Sequence, residues 1–165
     1  DRLKNFGFES EIEVSLCGMN AKLNEVQAAF GLVTLKHIDT ALIKRKQVAN
    51  FYYEKLSTIK GLKCFHPAAD VELNYSYFPI LIDEDKLGIS RNDLFDALKK
   101  NDILARRYFY PLITNFKEYR EFQREFPFSE KISNSVICLP IHNDLTKLDL
   151  EFIVNFIKCN ANAVK

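Results

Sequence analysis

One run of helical periodicity constrains this chain more than any other feature. From Leu23 to Leu56 the apolar residues recur mostly three or four positions apart, the spacing that places side chains on one face of an α-helix. The run is long for a single helix, so we expect two helices with a bend between Lys36 and Thr40. Gly61 then ends the helical region, because glycine readily adopts the conformation that closes a helix.

Four short segments after Gly61 are predicted to form strands. They are residues 62–65, 75–82, 103–108 and 136–139. Pro79 favours an edge position or a bulge for the second of them, because proline cannot donate to a strand ladder. Before the helical run, residues 12–16 alternate between apolar and polar and suit a short strand or an extended arm.

Two further helices complete the prediction. Ser90 is placed to cap the first, whose apolar face holds Leu94, Phe95 and Leu98, and the last helix begins at Asp144 or Thr146. Between them, a short helix is expected near residues 116–122. This order of elements predicts an α+β fold, with a small, mostly antiparallel sheet covered by helices.

Composition narrows the class of protein. With 47% hydrophobic and 13% aromatic residues among 165, the chain should form a packed globular unit. The 23 basic and 22 acidic residues leave no surplus charge for nucleic acid, and no apolar run is long enough for a membrane helix, so we expect a soluble cytoplasmic protein. The four cysteines lack metal-ligand spacing and are expected to be free thiols, with no metal site. Because the only methionine is Met19, we expect a fragment of a longer protein.

The most specific motif lies at residues 18–32, where a polar turn, Gly-Met-Asn-Ala-Lys, runs directly into a helix rich in small residues. It resembles the signature of the DegT/StrS family, the pyridoxal-phosphate-dependent sugar aminotransferases. That signature reads roughly Gly-x-Asn-x-Lys/Arg-Leu/Met-x-Glu-x-Gln-Ala-Ala, and every fixed position is filled. Two further matches are Ala-Arg-Arg-Tyr-Phe-Tyr-Pro-Leu at residues 105–112, and residues 128–133 followed by 136–141.

The resemblance covers nearly the whole chain, but only the carboxyl-terminal part of such an enzyme. It implies an extended arm and cofactor-phosphate turn at residues 1–22, followed by an interface helix and the small domain of a fold-type I aminotransferase at residues 23–165. The lysine that carries the cofactor and the acid that holds its ring nitrogen belong to the family's large domain and have no counterpart here. We therefore expect no catalytic residue in this chain, and neither activity nor retention of pyridoxal phosphate by the fragment alone.

Asn20 is the strongest candidate for a binding residue. Its amide can donate a hydrogen bond to a phosphate oxygen, and the family's equivalent residue contacts the cofactor phosphate of the partner subunit. From position alone, the favoured role for Asn20 is the N-cap of the helix beginning near Leu23. The intact motif favours the phosphate contact.

Arg106 and Arg107 are candidates for binding substrate, together with Tyr108 and Tyr110. A guanidinium forms paired hydrogen bonds with a carboxylate or a diphosphate, and the resemblance implies both a glutamate donor and a nucleotide-linked keto-deoxysugar. Neighbouring residues of a strand point to opposite faces, so at most one arginine should be functional, and we favour Arg107. A surface arginine stacked on tyrosine is the alternative.

The resemblance implies that the whole protein is a homodimeric transaminase that uses pyridoxal phosphate in polysaccharide or lipopolysaccharide biosynthesis. The rival hypothesis is a non-catalytic α+β binding or assembly module with an aminotransferase-like fold. The two differ in whether a large domain carrying the lysine precedes these residues.

Overall fold

The computed structural model describes residues 1–122 and 124–161. The chain divides into two compact units, Asp1–Asp39 and Thr40–Lys165. The division at residue 22 into an arm and a domain stays a prediction, and residues 162–165 of that domain lie outside the described part.

The first unit consists of a folded turn region and one helix. Two isolated antiparallel bridges, Asn5↔Asn20 and Phe8↔Val14, hold its first twenty residues together. Within residues 12–16, Val14 forms the bridge, and the main-chain oxygen of Glu13 and nitrogen of Ser15 make the hydrogen bonds on either side of it. Helix α1, Glu25–Leu35, follows and has no buried residue within the unit.

Helix α2 spans Ile38–Leu56, and the two-residue interruption after α1 confirms the bend predicted between residues 36 and 40. On α2 the residues Val48, Ala49, Tyr52 and Leu56 are buried. The Tyr52 hydroxyl donates to the main-chain oxygen of Pro140 at 3.0 Å, so the buried phenol is satisfied. Burial raises the pKa of Tyr52 well above its ordinary value, with a smaller contribution from Asp149.

Three antiparallel strands form the sheet in the order β1-β2-β3. They are β1 (Leu62–Cys64), β2 (Phe78–Ile82) and β3 (Val136–Leu139). The strand containing Pro79 is therefore central rather than at an edge. The proline is tolerated because β1 ends at Cys64, opposite Ile80, so Pro79 is paired only with Cys138 of β3.

The prediction of a strand at residues 103–108 is wrong. Only Arg106 pairs, through an isolated bridge to Cys138 on the outer edge of β3. A local hydrogen bond from the Ala105 nitrogen to the Ile103 oxygen, at 2.9 Å, turns the chain just before the bridge, so pairing cannot extend along the edge. The second strand also begins later than predicted, because Tyr75 has a φ of 51°.

The remaining helices surround the sheet. They are α3 (Glu84–Leu87), α4 (Arg91–Lys100), α5 (Pro127–Ser135) and α6 (Lys147–Ala161). Ser90 caps α4 as predicted, by accepting a hydrogen bond from the Asp93 nitrogen at 3.1 Å. The helix predicted near residues 116–122 consists of 3-10 turns at Ile113–Asn115 and Lys117–Phe122. No helix in the described residues has both the length and the apolar character needed to cross a bilayer.

The core of the second unit lies between one face of the sheet and its helices. Alternate residues of β2 point into it, namely Phe78, Ile80 and Ile82. Helix α4 contacts both β3 and α6, and α5 contacts β2. The α+β class predicted from the order of elements is confirmed. This core supports the segment that carries Arg106 to Tyr110.

Candidate functional site

The main chain around Asn20 is held on both sides. The Met19 nitrogen donates to the Leu3 oxygen at 2.9 Å, and the Ala21 nitrogen donates to the Lys4 oxygen at 2.9 Å. The Asn20 side chain is exposed and has no hydrogen-bond partner among the described residues. A fixed backbone thus presents a free amide, which is the arrangement an external acceptor requires.

Gly18 is required by the close approach of two chain segments beside Asn20. A Cβ at Gly18 would lie 2.3 Å from the nitrogen of Gly7, and a Cβ at Gly7 would lie 1.8 Å from the oxygen of Leu16. Gly7 also has a φ of 83°, which L-residues with a side chain rarely adopt. The glycine of the motif therefore has a steric role in shaping the turn that carries Asn20.

Asn24, not Asn20, caps helix α1. Its side-chain oxygen accepts from the Gln27 nitrogen at 2.8 Å, and the Gln27 side chain accepts in return from the Asn24 nitrogen at 3.4 Å. The alternative interpretation of Asn20 as the cap is therefore wrong. Sequence reasoning missed this capping box, although asparagine three residues before glutamine is its signature. Lys22 donates to the Asn5 side chain at 2.9 Å and remains exposed.

Arg106 and Arg107 have different neighbours. The Arg106 guanidinium lies 5.5 Å from the centre of the Tyr108 ring and donates to the hydroxyl of that residue. Arg107 lies 4.4 Å from the Phe95 ring and 5.0 Å from the Tyr110 ring. Its Nη1 also donates to the Asn92 side chain at 3.0 Å. Arg107 is thus held by three side chains, whereas the exposed Arg106 side chain contacts only the side chain of Tyr108 among the described residues.

Arg91, the first residue of α4, belongs to the same group and was missed. It is only 4% exposed, and its guanidinium lies 4.3 Å from the Tyr110 ring. Burial lowers the pKa of Arg91 and the nearby charge of Arg107 lowers it further. The signal in the sequence was a cation in the first helical turn, where the helix dipole disfavours positive charge.

Tyr108 and Phe109 border an open cleft of about 420 Å³, with Phe128, Ile132 and Ser133 on its other side. The Ser133 hydroxyl donates to the Phe109 oxygen at 2.8 Å, which ties α5 to the segment carrying the arginines. Tyr108 packs edge-on against Tyr77, with ring centres 5.2 Å apart. The predicted residues Arg106, Arg107, Tyr108 and Tyr110 therefore lie in one aromatic and basic region of the second unit, and Asn20 lies in the first unit.

The chain matches the DegT/DnrJ/EryC1/StrS aminotransferase family over residues 1–158. It belongs to that family. The resemblance drawn from its three motifs is confirmed, and the enzymes of this family are pyridoxal-phosphate-dependent aminotransferases.

Two relatives and one solved structure illustrate the match. The dTDP-4-amino-4,6-dideoxy-D-glucose transaminase of Shigella dysenteriae is 42% identical over 160 residues, which are 96% of this chain and 43% of that protein. The Escherichia coli enzyme of the same name is 43% identical over 162 residues, with the same coverage. The structure of DesI with its TDP-sugar product is 26% identical, with a TM-score of 0.85 over 98% of this chain and 42% of DesI. The chain thus spans less than half the length of these relatives.

The described residues do not form a complete pyridoxal phosphate site. None of the lysines among residues 1–122 and 124–161 is buried. Lys86 forms a surface ion pair with Asp83, which raises the pKa of the lysine and keeps its amine protonated. A lysine that holds this cofactor needs a desolvated pocket and a lowered pKa. The free amide of Asn20 fits a phosphate oxygen, so what this part of the chain can contribute is an accessory contact.

The cysteines and histidines supply no further site. All four cysteines are free; Cys64 and Cys138 are buried, and burial raises the pKa of both thiols. His66 stacks on Tyr53 with ring centres 4.4 Å apart. Within the described part of the chain, no cluster of three or more histidine, cysteine, aspartate or glutamate residues is placed to hold a metal ion.

Proposed function

We propose that this chain works as the carboxyl-terminal part of a transaminase that transfers an amino group to a nucleotide-linked keto-deoxysugar. The observation that carries the proposal is the 42–43% identity, over 96% of this chain, to two dTDP-4-amino-4,6-dideoxy-D-glucose transaminases. We further propose glutamate as the amino donor, and polysaccharide or lipopolysaccharide biosynthesis as the setting. The free thiols suit the reducing cytoplasm, where we place the protein.

Each unit of the chain has a part in this proposal. Pyridoxal phosphate, when bound, supplies the electron sink that lets an amino group move between two carbon skeletons. Asn20 donates a hydrogen bond to its phosphate, and the turn held by Gly18 keeps that amide in position. In the second unit, Arg107, Tyr108 and Tyr110 bind anionic and planar parts of the substrates. The lysine that carries the cofactor is supplied from outside the described residues.

We also propose that the whole protein is a homodimer that uses helix α1 as an interface. Val26 is 79% exposed and Phe30 is 75% exposed, and with Val33 they form an apolar stripe along α1. An apolar helix face of this kind is usually covered by a partner surface.

The test is a transamination assay with the whole protein that contains this chain. Purified protein is given pyridoxal phosphate, glutamate and the 4-keto precursor of dTDP-4-amino-4,6-dideoxy-D-glucose, and both products are measured by mass spectrometry. The proposal predicts equal amounts of aminated sugar nucleotide and 2-oxoglutarate, with far less product when aspartate replaces glutamate. If neither product forms with dTDP- or UDP-linked keto sugars, the non-catalytic module is the better description.

A further inference from the structure

Two arginines of different elements flank one tyrosine. The guanidinium of Arg91 lies 4.3 Å from the centre of the Tyr110 ring, and that of Arg107 lies 5.0 Å from the same centre. Arg91 begins helix α4, and Arg107 lies one residue after the bridge to β3. The Tyr110 ring therefore contacts two positive charges that come from separate parts of the fold.

Neither charge is neutralised within the described residues. The ion pairs of this part of the chain involve neither Arg91 nor Arg107. The Arg91 Nη1 donates to the Val136 oxygen at a long 3.4 Å, and its Nε is buried without any partner. A buried charge that lacks a counter-ion and leaves one of its donors without a hydrogen bond is unfavourable.

The mutual repulsion of the two guanidiniums adds to that cost. The neighbouring charge of Arg107 is one of the causes that lower the pKa of Arg91. Guanidinium groups nevertheless keep their protons in proteins, so the pair remains doubly positive at neutral pH. An anion beside Arg107 would offset the repulsion between the two charges.

We propose that Arg107 and Arg91 form a subsite for a two-oxygen anionic group of a substrate, either a carboxylate or a phosphate. Arg107 makes the contact, because it is partly exposed and is fixed by Asn92 and Phe95. Arg91 is a positioning residue, because at 4% exposure it acts through the Tyr110 ring and its charge. The identity of the anion rests on the proposed function, in which the donor carries carboxylates and the sugar carries a diphosphate.

Arg106 does not belong to this subsite. Its guanidinium contacts Tyr108, two residues further along, and does not contact the Tyr110 ring. Of the two adjacent arginines, the structure therefore favours Arg107, whose guanidinium contacts the same tyrosine ring as the buried Arg91.

The experiment measures anion binding by the whole protein without turnover. Glutarate stands for the donor carboxylates and inorganic pyrophosphate for the diphosphate, and each is titrated calorimetrically at constant ionic strength. Arg107→Gln should lower the affinity for one of the two probes at least tenfold, since a charge-assisted contact is lost. The affinity for the other probe should change by less than twofold. Lys100→Gln, at the opposite end of α4, removes the same charge and should change neither affinity by more than twofold.

Arg91→Met tests the positioning role by a readout that a purely structural residue would not affect. The probe that depends on Arg107 should raise the melting temperature of wild type, and that increase should disappear in Arg91→Met. Arg91→Lys, which keeps the charge but not the planar stacking, should retain part of the increase. If Arg91→Met melts as wild type does and keeps the full increase, the positioning role is wrong.

The subsite is overturned if Arg107→Gln and Lys100→Gln change the affinities for both probes equally, because the anions would then respond only to the general electrostatic field of the protein surface. It is also overturned if Arg107→Gln is folded and binds both probes as wild type does. The proposed function fails differently, through absence of transamination by a wild-type protein whose anion binding still depends on Arg107. The identity of the affected probe distinguishes a donor subsite from a sugar-nucleotide subsite.

Discussion

Asn20 and Asn24 offer a matched pair of asparagines that separates cofactor binding from helix stability. Asn24 makes the capping box of α1, whereas the side chain of Asn20 has no partner within the described residues. We predict that Asn20→Ala impairs retention of pyridoxal phosphate by the whole protein and leaves its cofactor-free stability unchanged. Asn24→Ala should lower the stability of the cofactor-free protein and leave its retention of pyridoxal phosphate unchanged.

The expected magnitudes follow from the bonds that each alanine removes. A hydrogen bond to a charged phosphate contributes about 1.5–3 kcal/mol, so Asn20→Ala should weaken cofactor binding about tenfold to hundredfold. Asn24→Ala loses the 2.8 Å cap to the Gln27 nitrogen, which should cost about 1 kcal/mol of helix stability. The return bond from the Asn24 nitrogen is 3.4 Å long and adds little.

Two measurements on each variant decide the question. Cofactor affinity is obtained by titrating the stripped protein with pyridoxal phosphate, and stability by urea unfolding of the stripped protein. If Asn20→Ala binds the cofactor as wild type does but unfolds at lower urea, Asn20 is structural and the phosphate role is refuted. If both variants lose affinity equally, the position of helix α1 controls binding and the Asn20 amide does not.

Three further predictions concern the interface, the core and the last helix. Val33→Asp should dissociate the dimer in sedimentation experiments, whereas Thr34→Asp, one position away on α1, should not. Tyr52→Phe removes the hydrogen bond to the half-buried main-chain oxygen of Pro140 and should lower the free energy of unfolding by about 1 kcal/mol, measured in urea. The pKa of Asp149 is lowered because the hydroxyl and nitrogen of Thr146 donate to its carboxylate. Its stabilising contribution is therefore present above the unfolded pKa of about 3.9 and is lost as the pH falls through the folded value. Asp149→Asn should accordingly lower the urea midpoint at neutral pH, and its difference from wild type should shrink as the pH falls below the unfolded pKa of about 3.9. A difference that stays constant as the pH falls would show another cause.

Local chemistry was enough to predict the elements whose ends are marked by side chains. Ser90 indicated the start of α4. Gly61 was expected to end the helical region, but α2 already ends at Leu56, and Gly61, with a φ of 90°, lies in the turn before β1. From the sequence, only the short helix near residues 116–122 is expected in this region, so α5 is not predicted, although Pro127 occupies the first turn of α5, a favoured place for proline. The prediction of a strand at residues 103–108 failed for a different reason. Its composition suits a strand, but a turn within the segment limits pairing to one residue, and periodicity does not report such a turn.

The candidate site was predictable where one motif carries all its parts, and not where distant residues meet. Asn20 was found from its motif, and Arg107 from its neighbours in sequence. Arg91 could not be found in this way, since sixteen positions separate it from Arg107. Its partner ring, Tyr110, reaches it only after the chain has passed the edge of β3. Contacts between elements of this kind depend on the fold as a whole.

The bridge between Arg106 and Cys138 bears on how this segment tolerates change. The Arg106 nitrogen donates to the Cys138 oxygen at 3.0 Å, and the Cys138 nitrogen donates to the Arg106 oxygen at 2.7 Å. Both bonds are made by main-chain atoms, so any residue except proline can maintain them at either position. A library at position 106 can therefore vary the chemistry beside Tyr108 while the segment stays attached to the sheet. Proline at position 106 would remove the nitrogen that donates to Cys138, and proline at position 138 would remove the nitrogen that donates to Arg106, so either would loosen the attachment of the segment to β3.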